Sequence, residues 1–180
     1  MTFSAIIVAA GSGSRAGGDK QWRTVGGKPL IRWSAESLLD SGASPLVIVL
    51  AEGAEERAQA ALSGLSGWIS VTGGATRADS VQAGLAALGD DRPVLIHDAA
   101  RPFLKAQTIH ALLDALSDAE GALPALLVAD SLRKGDAECL MGQVVDREGL
   151  YRAQTPQAFR PSILRAAYAA WPNATAPTDE

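Results

Sequence analysis

Short runs of almost uninterrupted apolar residues, separated by longer amphipathic stretches, constrain this chain more than any other feature. Residues 5–10, 46–51, 68–71, 94–96 and 123–129 are such runs, the first reading Ala-Ile-Ile-Val-Ala-Ala. Side chains of a strand alternate between its two faces, so a strand apolar at every position must be covered on both. Between the runs lie residues 29–39, 52–62, 78–88 and 108–116, whose apolar residues recur at about i, i+3 and i+4 as on one face of a helix. Pro29 stands near a first helical position and Gly42 just past an end, the expected asymmetry of helix boundaries. Strand and helix in alternation predict an α/β chain with a mostly parallel sheet and helices on both faces, a Rossmann-like three-layer sandwich. Residues 161–171 predict a last amphipathic helix. Residues 131–148 are charged and interrupted by Gly135 and Gly142, which predicts a pair of short strands in an exposed β-arm. No repeat, low-complexity tract or linker divides residues 1–180, so a single domain is expected.

Composition narrows the class. Sixteen Lys and Arg against 20 Asp and Glu give a net charge of −4, without the basic excess that tracking a nucleic-acid backbone demands. Hydrophobic residues make up 47% of the chain, enough for a buried core. The lone Cys139 excludes an internal disulfide and suits a reducing cytoplasm. The first apolar run is too short for a membrane span or signal peptide, and no basic segment precedes it. A cytoplasmic protein with neither a membrane nor a nucleic acid as partner is the expectation.

In an open α/β sheet, ligands bind beyond the carboxyl ends of the strands. Polar and glycine-rich clusters follow four of the runs. After the first comes Gly11-Ser12-Gly13-Ser14-Arg15 with Lys20 close behind, where backbone N–H groups can approach a phosphate and two cations can meet its charge. The Walker pattern fails, because Asp19 stands where Lys is required. The dinucleotide pattern G-x-G-x-x-A does match residues 11–16, but the helix that should follow at once does not start before Pro29. A solvated glycine-rich turn is the bland reading. Gly73-Gly74-Ala75-Thr76-Arg77-Ala78-Asp79-Ser80 follows the third run; Gly74, Ala75 and Ser80 can hold a base edge, while Thr76 with Asp79 spells a capping box. His97-Asp98-Ala99-Ala100-Arg101-Pro102 follows the fourth. There Asp98 can face a sugar hydroxyl or a metal ion, and Arg101 can grip a phosphate. His97 reads as structural and His110 as a surface residue. Asp130, Ser131 and Thr155 are short polar side chains suited to hydroxyl and phosphate contacts. Together these clusters indicate a nucleotide or phosphoester site.

These residues resemble a known family. Residues 9–15 with Lys20-Gln21 are similar to the opening signature of nucleotidyltransferases that activate sugars and alcohols. Residues 74–81, 97–102, 145–150, 154–157 and 178–180 narrow the resemblance to the 2-C-methyl-D-erythritol 4-phosphate cytidylyltransferases, and it runs from residue 5 to 180. The resemblance implies a fold of the nucleotide-diphospho-sugar transferase type. It implies attack by the methylerythritol phosphate on the α-phosphate of CTP, with pyrophosphate leaving, in non-mevalonate isoprenoid biosynthesis. Mg²⁺ is implied as cofactor, held mainly by the CTP phosphates with Asp98 a candidate ligand. By position, Arg15 and Lys20 would stabilise the reacting phosphates. Ala9, Ala10, Gly11, Ser12 and Gly13 with Gly74, Ala75, Ser80 and Asp98 would bind the nucleotide. Asp98, Arg101, Ser131, Thr155 and Thr178 would line the second substrate's pocket. Arg147, on the 131–148 arm, would reach the partner subunit's site, so a homodimer through that arm is implied.

Several positions depart from the family pattern. The loop between Arg15 and Lys20 is short and lacks a Pro before the Lys, Ala75 replaces an acidic residue, and Ser131 replaces Thr. Family members also continue past the Thr-Asp-Glu motif through a further strand and helix carrying a substrate-positioning lysine. The expectation is therefore a chain cut short, or the front of a longer polypeptide fused to the cyclodiphosphate synthase of the same pathway. Other nucleotidyltransferases remain open, among them ribitol-phosphate cytidylyltransferase and molybdenum-cofactor guanylyltransferase, whose loop residues 14–20 resemble. So do an NAD(P)-dependent dehydrogenase and a nucleotide-binding domain without catalysis.

Overall fold

A computed structural model describes residues 2–11, 19–89 and 91–171. The chain begins with β1 (Phe3–Ala9), of which every residue but Val8 is fully or nearly fully buried. After a one-turn 3₁₀ helix at Lys20–Trp22 come the small hairpin β2 (Thr24–Val25) and β3 (Lys28–Pro29), then α1 (Leu30–Asp40). Gly42 ends α1 with φ +97°, a left-handed conformation that glycine adopts without a β-carbon penalty, and its N–H bonds Leu39 O at 2.9 Å. β4 (Ala43–Leu50), α2 (Glu55–Ala61), β5 (Trp68–Thr72), α3 (Arg77–Ala86), β6 (Val94–Asp98) and α4 (Ala106–Ala115) complete the alternating part.

The strands pair parallel in the order β5-β4-β1-β6, with Ile7 beside Ile48 and Ile6 beside Ile96. Period-two alternation explains why they are apolar throughout. Ala5, Ile7, Leu46, Ile48 and Leu95 face one core with Ile31, Leu38 and Ala58 of α1 and α2 and Ile109 of α4. Ile6, Val47, Val49 and Ile96 face a second core with Val81 and Leu85 of α3 and Leu164 of the last helix. The expected three layers are present. Because β1 connects through α1 to β4 on one side, whereas the chain returns through α3 to β6 on the other, the topological switch point lies at β1.

Two runs depart from the expectation. Residues 68–71, expected as a strand covered on both faces, form β5 at the edge of the sheet, where no residue is fully buried and Ile69 is 47% exposed. Residues 123–129, expected as one buried strand, divide into β7 (Gly121–Ala122) in the main sheet and β8 (Ala125–Leu127) outside it. Pro124 has no N–H to give a ladder and stands at the break. β8 is exposed, with Leu126 at 50% and Leu127 at 61% of their full accessibility. β9 (Leu132–Gly135) and β10 (Met141–Val145) form an antiparallel hairpin within residues 131–148. β11 (Tyr151–Ala153) pairs with β8. β12 (Gln157–Phe159), which no sequence pattern announces, enters the main sheet antiparallel beside β6 and makes the sheet mixed. α5 (Pro161–Ala170) follows, with Pro161 in its first turn. Asp91 accepts hydrogen bonds from the Ser162 N–H (2.6 Å) and hydroxyl (2.7 Å), so a distant residue caps this helix.

Candidate active site

A cleft of about 530 Å³ opens beyond the carboxyl ends of β1 and β6, at the switch point. It is lined by Ala9 of β1 with Ala10 and Gly11 just after it, Lys20 and Gln21 of the 3₁₀ turn, Gly74 to Thr76 before α3 with Arg77 and Ser80 of its first turn, and Asp98 of β6 with Ala99 and Ala100 just after it. Eight of the residues singled out from the sequence thus meet in one place: Ala9, Ala10, Gly11, Lys20, Gly74, Ala75, Ser80 and Asp98. Ser12, Gly13, Arg15 and Thr178 lie outside the described residues.

The β5–α3 turn is glycine for reasons of space. A β-carbon on Gly73 would stand 2.5 Å from that of Ala10 and 2.7 Å from Ser80 Oγ, and one on Gly74 would collide with Asp79. Thr76 and Asp79 form the expected capping box: Thr76 Oγ1 accepts the Asp79 N–H at 3.0 Å and Asp79 Oδ2 accepts the Thr76 N–H at 2.9 Å. The Ser80 hydroxyl donates to Thr76 O (3.0 Å) and accepts the Gly74 N–H (3.2 Å). Its work in this structure is to fix the glycine turn against the first turn of α3.

Two cleft residues, Gln21 and Arg77, lie within the motifs that carry the resemblance but take no role from the sequence. Gln21 is buried and its Nε2 donates to Ala9 O at 3.0 Å, tying the 3₁₀ turn to the end of β1. Arg77, the first residue of α3, approaches Asp98 Oδ1 at 3.3 Å. Arg101 Nε binds the other oxygen, Asp98 Oδ2, at 3.0 Å. One carboxylate thus holds two guanidinium groups at the cleft wall.

Arg101 and Thr155 line a smaller hollow of about 270 Å³ beyond Asp98, with His97 and Gln154. Arg101 Nη1 also bonds Gln154 Oε1. Burial pushes the His97 pKa down to about 4, against the opposing pull of its bond to Arg101 O and the Asp98 charge, so the ring is neutral near pH 7. A carbonyl cannot donate, so His97 Nε2 carries the proton and donates to Arg101 O at 3.0 Å. Nδ1 then accepts from the Thr155 hydroxyl at 3.2 Å, whose oxygen accepts the Asp98 N–H at 3.3 Å. The imidazole is a strut joining the Asp98–Arg101 turn to the Thr155 turn. Ser131 and Arg147 line neither hollow. Both are exposed at the arm, where Arg147 Nη1 donates to Ala129 O of its own chain.

Among the described residues no cluster of three or more His, Cys, Asp or Glu could hold a metal ion. Asp98 is the carboxylate at the cleft wall, and both its oxygens are engaged by arginines. That donor set fits an ion carried chiefly by a ligand's phosphates, with at most one protein carboxylate, the usual manner of Mg²⁺.

A mostly parallel sheet with its cleft at the switch point, walled by glycine backbone, Lys and Arg, defines the architecture as that of the nucleotidyltransferase class. The model of the family described as IspD, 2-C-methyl-D-erythritol 4-phosphate cytidylyltransferase, matches residues 3–180. The chain belongs to that family. It is 55% identical over 188 residues to the bifunctional enzyme IspD/IspF of Caulobacter vibrioides, covering 100% of this chain and 48% of that protein. It is 50% identical over 182 residues to the bifunctional enzyme IspD/IspF of Rhizorhabdus wittichii, covering 99% and 47%. The chain therefore spans about half the length of these curated relatives. The crystal structure of 2-C-methyl-D-erythritol 4-phosphate cytidylyltransferase from Thermus thermophilus superposes with a TM-score of 0.81 at 34% identity, covering 99% of this chain and 81% of that one. No helix among the described residues is long and apolar enough to cross a membrane.

Proposed function

We propose that the protein transfers a cytidylyl group from CTP to 2-C-methyl-D-erythritol 4-phosphate in non-mevalonate isoprenoid biosynthesis. A phosphate oxygen of the acceptor forms a bond to the α-phosphorus of CTP while the bond to the β-phosphate oxygen breaks, and pyrophosphate leaves. The observation that carries this reading is the convergence of Gly11, Lys20, the Gly74–Ser80 turn and Asp98 on one cleft at the switch point. Such a step needs no protein nucleophile; it needs alignment and positive charge where negative charge develops. The Gly74 and Ala75 backbone is suited to the edge of cytosine, and Lys20 with Arg15 to the triphosphate. Mg²⁺ would be held chiefly by the CTP phosphates, with Asp98 a candidate protein ligand, and would supply further charge neutralisation. Arg101 and Thr155, fixed by the His97 strut, are suited to the acceptor.

The reading extends to assembly and compartment. Leu127, Met141, Val144 and Tyr151 of the arm region are each more than half exposed, which supports a homodimer through residues 131–148, with Arg147 serving the acceptor phosphate across that interface. The free, exposed thiol of Cys139 agrees with a cytoplasmic protein. The bifunctional names of the relatives support reading this chain as the cytidylyltransferase part of such an enzyme.

Pyrophosphate release tests the proposal. The full-length protein with Mg²⁺, the acceptor and CTP is expected to release pyrophosphate, and with GTP or with ribitol 5-phosphate it is not. Absence of release with CTP and the methylerythritol phosphate overturns the reading.

A further inference from the structure

Arg57 lies on α2, outside the cleft and outside every segment that carries the family resemblance, yet it holds the residues on both sides of Lys20. Asp19, directly before Lys20, has φ +43° and ψ 35°, a left-handed conformation uncommon for a residue with a β-carbon. Arg57 Nη1 binds Asp19 Oδ2 at 2.8 Å. The same guanidinium lies 5.0 Å from the centroid of the Trp22 ring, two residues after Lys20. From the other side Gln21 Nε2 holds Ala9 O at 3.0 Å. The turn that bears Lys20 is thus clasped between α2 and the end of β1, and of its described residues Lys20 and Gln21 reach the cleft.

We propose that Arg57 is a positioning residue, which sets the entry of Lys20 into the cleft by pinning Asp19 and Trp22 at once. The inference rests on the reading of Lys20 as the cation that meets the triphosphate. A lysine is a point charge on a flexible stem, so where its ammonium falls depends on where its backbone is held. Misplacement of a catalytic group by about 1 Å is costly even when the cause lies far from the chemistry. The broad guanidinium meets both groups at once, an N–H for the carboxylate and its charge for the indole, which the compact ammonium of a lysine is less suited to do. The ion pair is about half exposed on each side, 55% and 61%, so it adds little to global stability. Its effect is therefore local.

The test measures pyrophosphate-release kinetics and CTP affinity by calorimetry on the full-length protein for Arg57→Ala, Arg57→Lys, Lys20→Ala and the double variant Arg57→Ala/Lys20→Ala. Arg57→Ala is expected to keep its melting temperature and lose about five-fold in kcat/KM, about 1 kcal/mol by the usual conversion. Arg57→Lys is expected to recover little of it. In the Lys20→Ala background Arg57→Ala is expected to change nothing further, read in CTP affinity if turnover is gone. Asp19→Ala breaks the same contact from its other end and is expected to follow Arg57→Ala, so a poorly folded Arg57 variant does not stop the test. If Lys20→Ala is impaired while Arg57→Ala and Asp19→Ala match the wild type, Arg57 has no positioning role. Equal losses from Arg57→Ala with and without Lys20 likewise overturn the proposal. A Lys20→Ala variant as active as the wild type overturns the role of Lys20 itself, and with it that of Arg57.

Discussion

Ile48 of β4 and Leu127 of β8 belong to equally apolar stretches, yet one is fully buried and the other 61% exposed. In the parallel part of the sheet both side-chain sets of β1 and β4 find a helical layer, α1, α2 and α4 on one face and α3 and α5 on the other. β8 has left that sheet after Pro124 and pairs only with the three residues of β11. An apolar run states that water must be excluded and does not state by what. Around β1 and β4 the chain excludes water by itself; around β8 nothing among the described residues does.

The largest expected effect tests the first half of that contrast. Ile48→Ala is expected to cost about 2–5 kcal/mol in urea denaturation, the range for truncating a large aliphatic side chain in a packed core. Acid comes next and bears on the same interior. His97 is buried and neutral in the folded protein, with a pKa of about 4, and in the unfolded chain it titrates near the usual ~6.5. Between these values the unfolded state holds the extra proton, so stability is lost as pH falls from ~6.5 towards 4, at about 1.4 kcal/mol per pH unit and about 3 kcal/mol in all. Urea midpoints at pH 7 and pH 5 should diverge more for the wild type than for His97→Gln. Equal divergence would mean that the ring titrates in the folded protein as it does in the unfolded chain. Third is Gly74→Ala, whose methyl has to displace Asp79. It is expected to cost about 1–3 kcal/mol, as overpacking does, and to weaken nucleotide binding with it.

These positions also show how much of the fold and site is legible in residue order alone. Residues 5–10 and 46–51 announce buried strands because no polar residue breaks either face. Thr76 and Asp79 announce a helix start because capping is a local matter of spacing. β12 is not legible: three residues, Gln157-Ala158-Phe159, carry no period, and a fully buried Gln157 contradicts the rule of apolar interiors. Residues 123–129 mislead because their composition fits a central strand while Pro124 forbids it. At the site, the glycine pair is visible as a turn, but the cause of Gly73, the approach of Ala10, is tertiary. Arg77 and Gln21 lie in motifs that residue order shows, but their roles are missed for the same reason: their partners, Asp98 and the Ala9 carbonyl, are tertiary. The capping box places Arg77 at the mouth of α3, and that is the one usable clue.

The smallest effect is expected at the arm, and it separates the two halves most sharply. Leu127→Ser exchanges an exposed apolar group for a polar one where no core closes over it, so the stability of a single chain is expected to stay within about 0.5 kcal/mol of the wild type. Sedimentation is expected to respond instead: if the exposed face of β8, β10 and β11 is covered by a second copy, the substitution moves the protein towards monomer at concentrations where the wild type is paired. The two measurements have to be made at low and at high protein concentration, because stability gained through association depends on mass action. A loss as large as that of Ile48→Ala at low concentration would mean that β8 is packed within its own chain, and the contrast between sheet and arm would fall. Unchanged stability together with unchanged sedimentation would leave the contrast standing and remove the β8 face as a dimer contact.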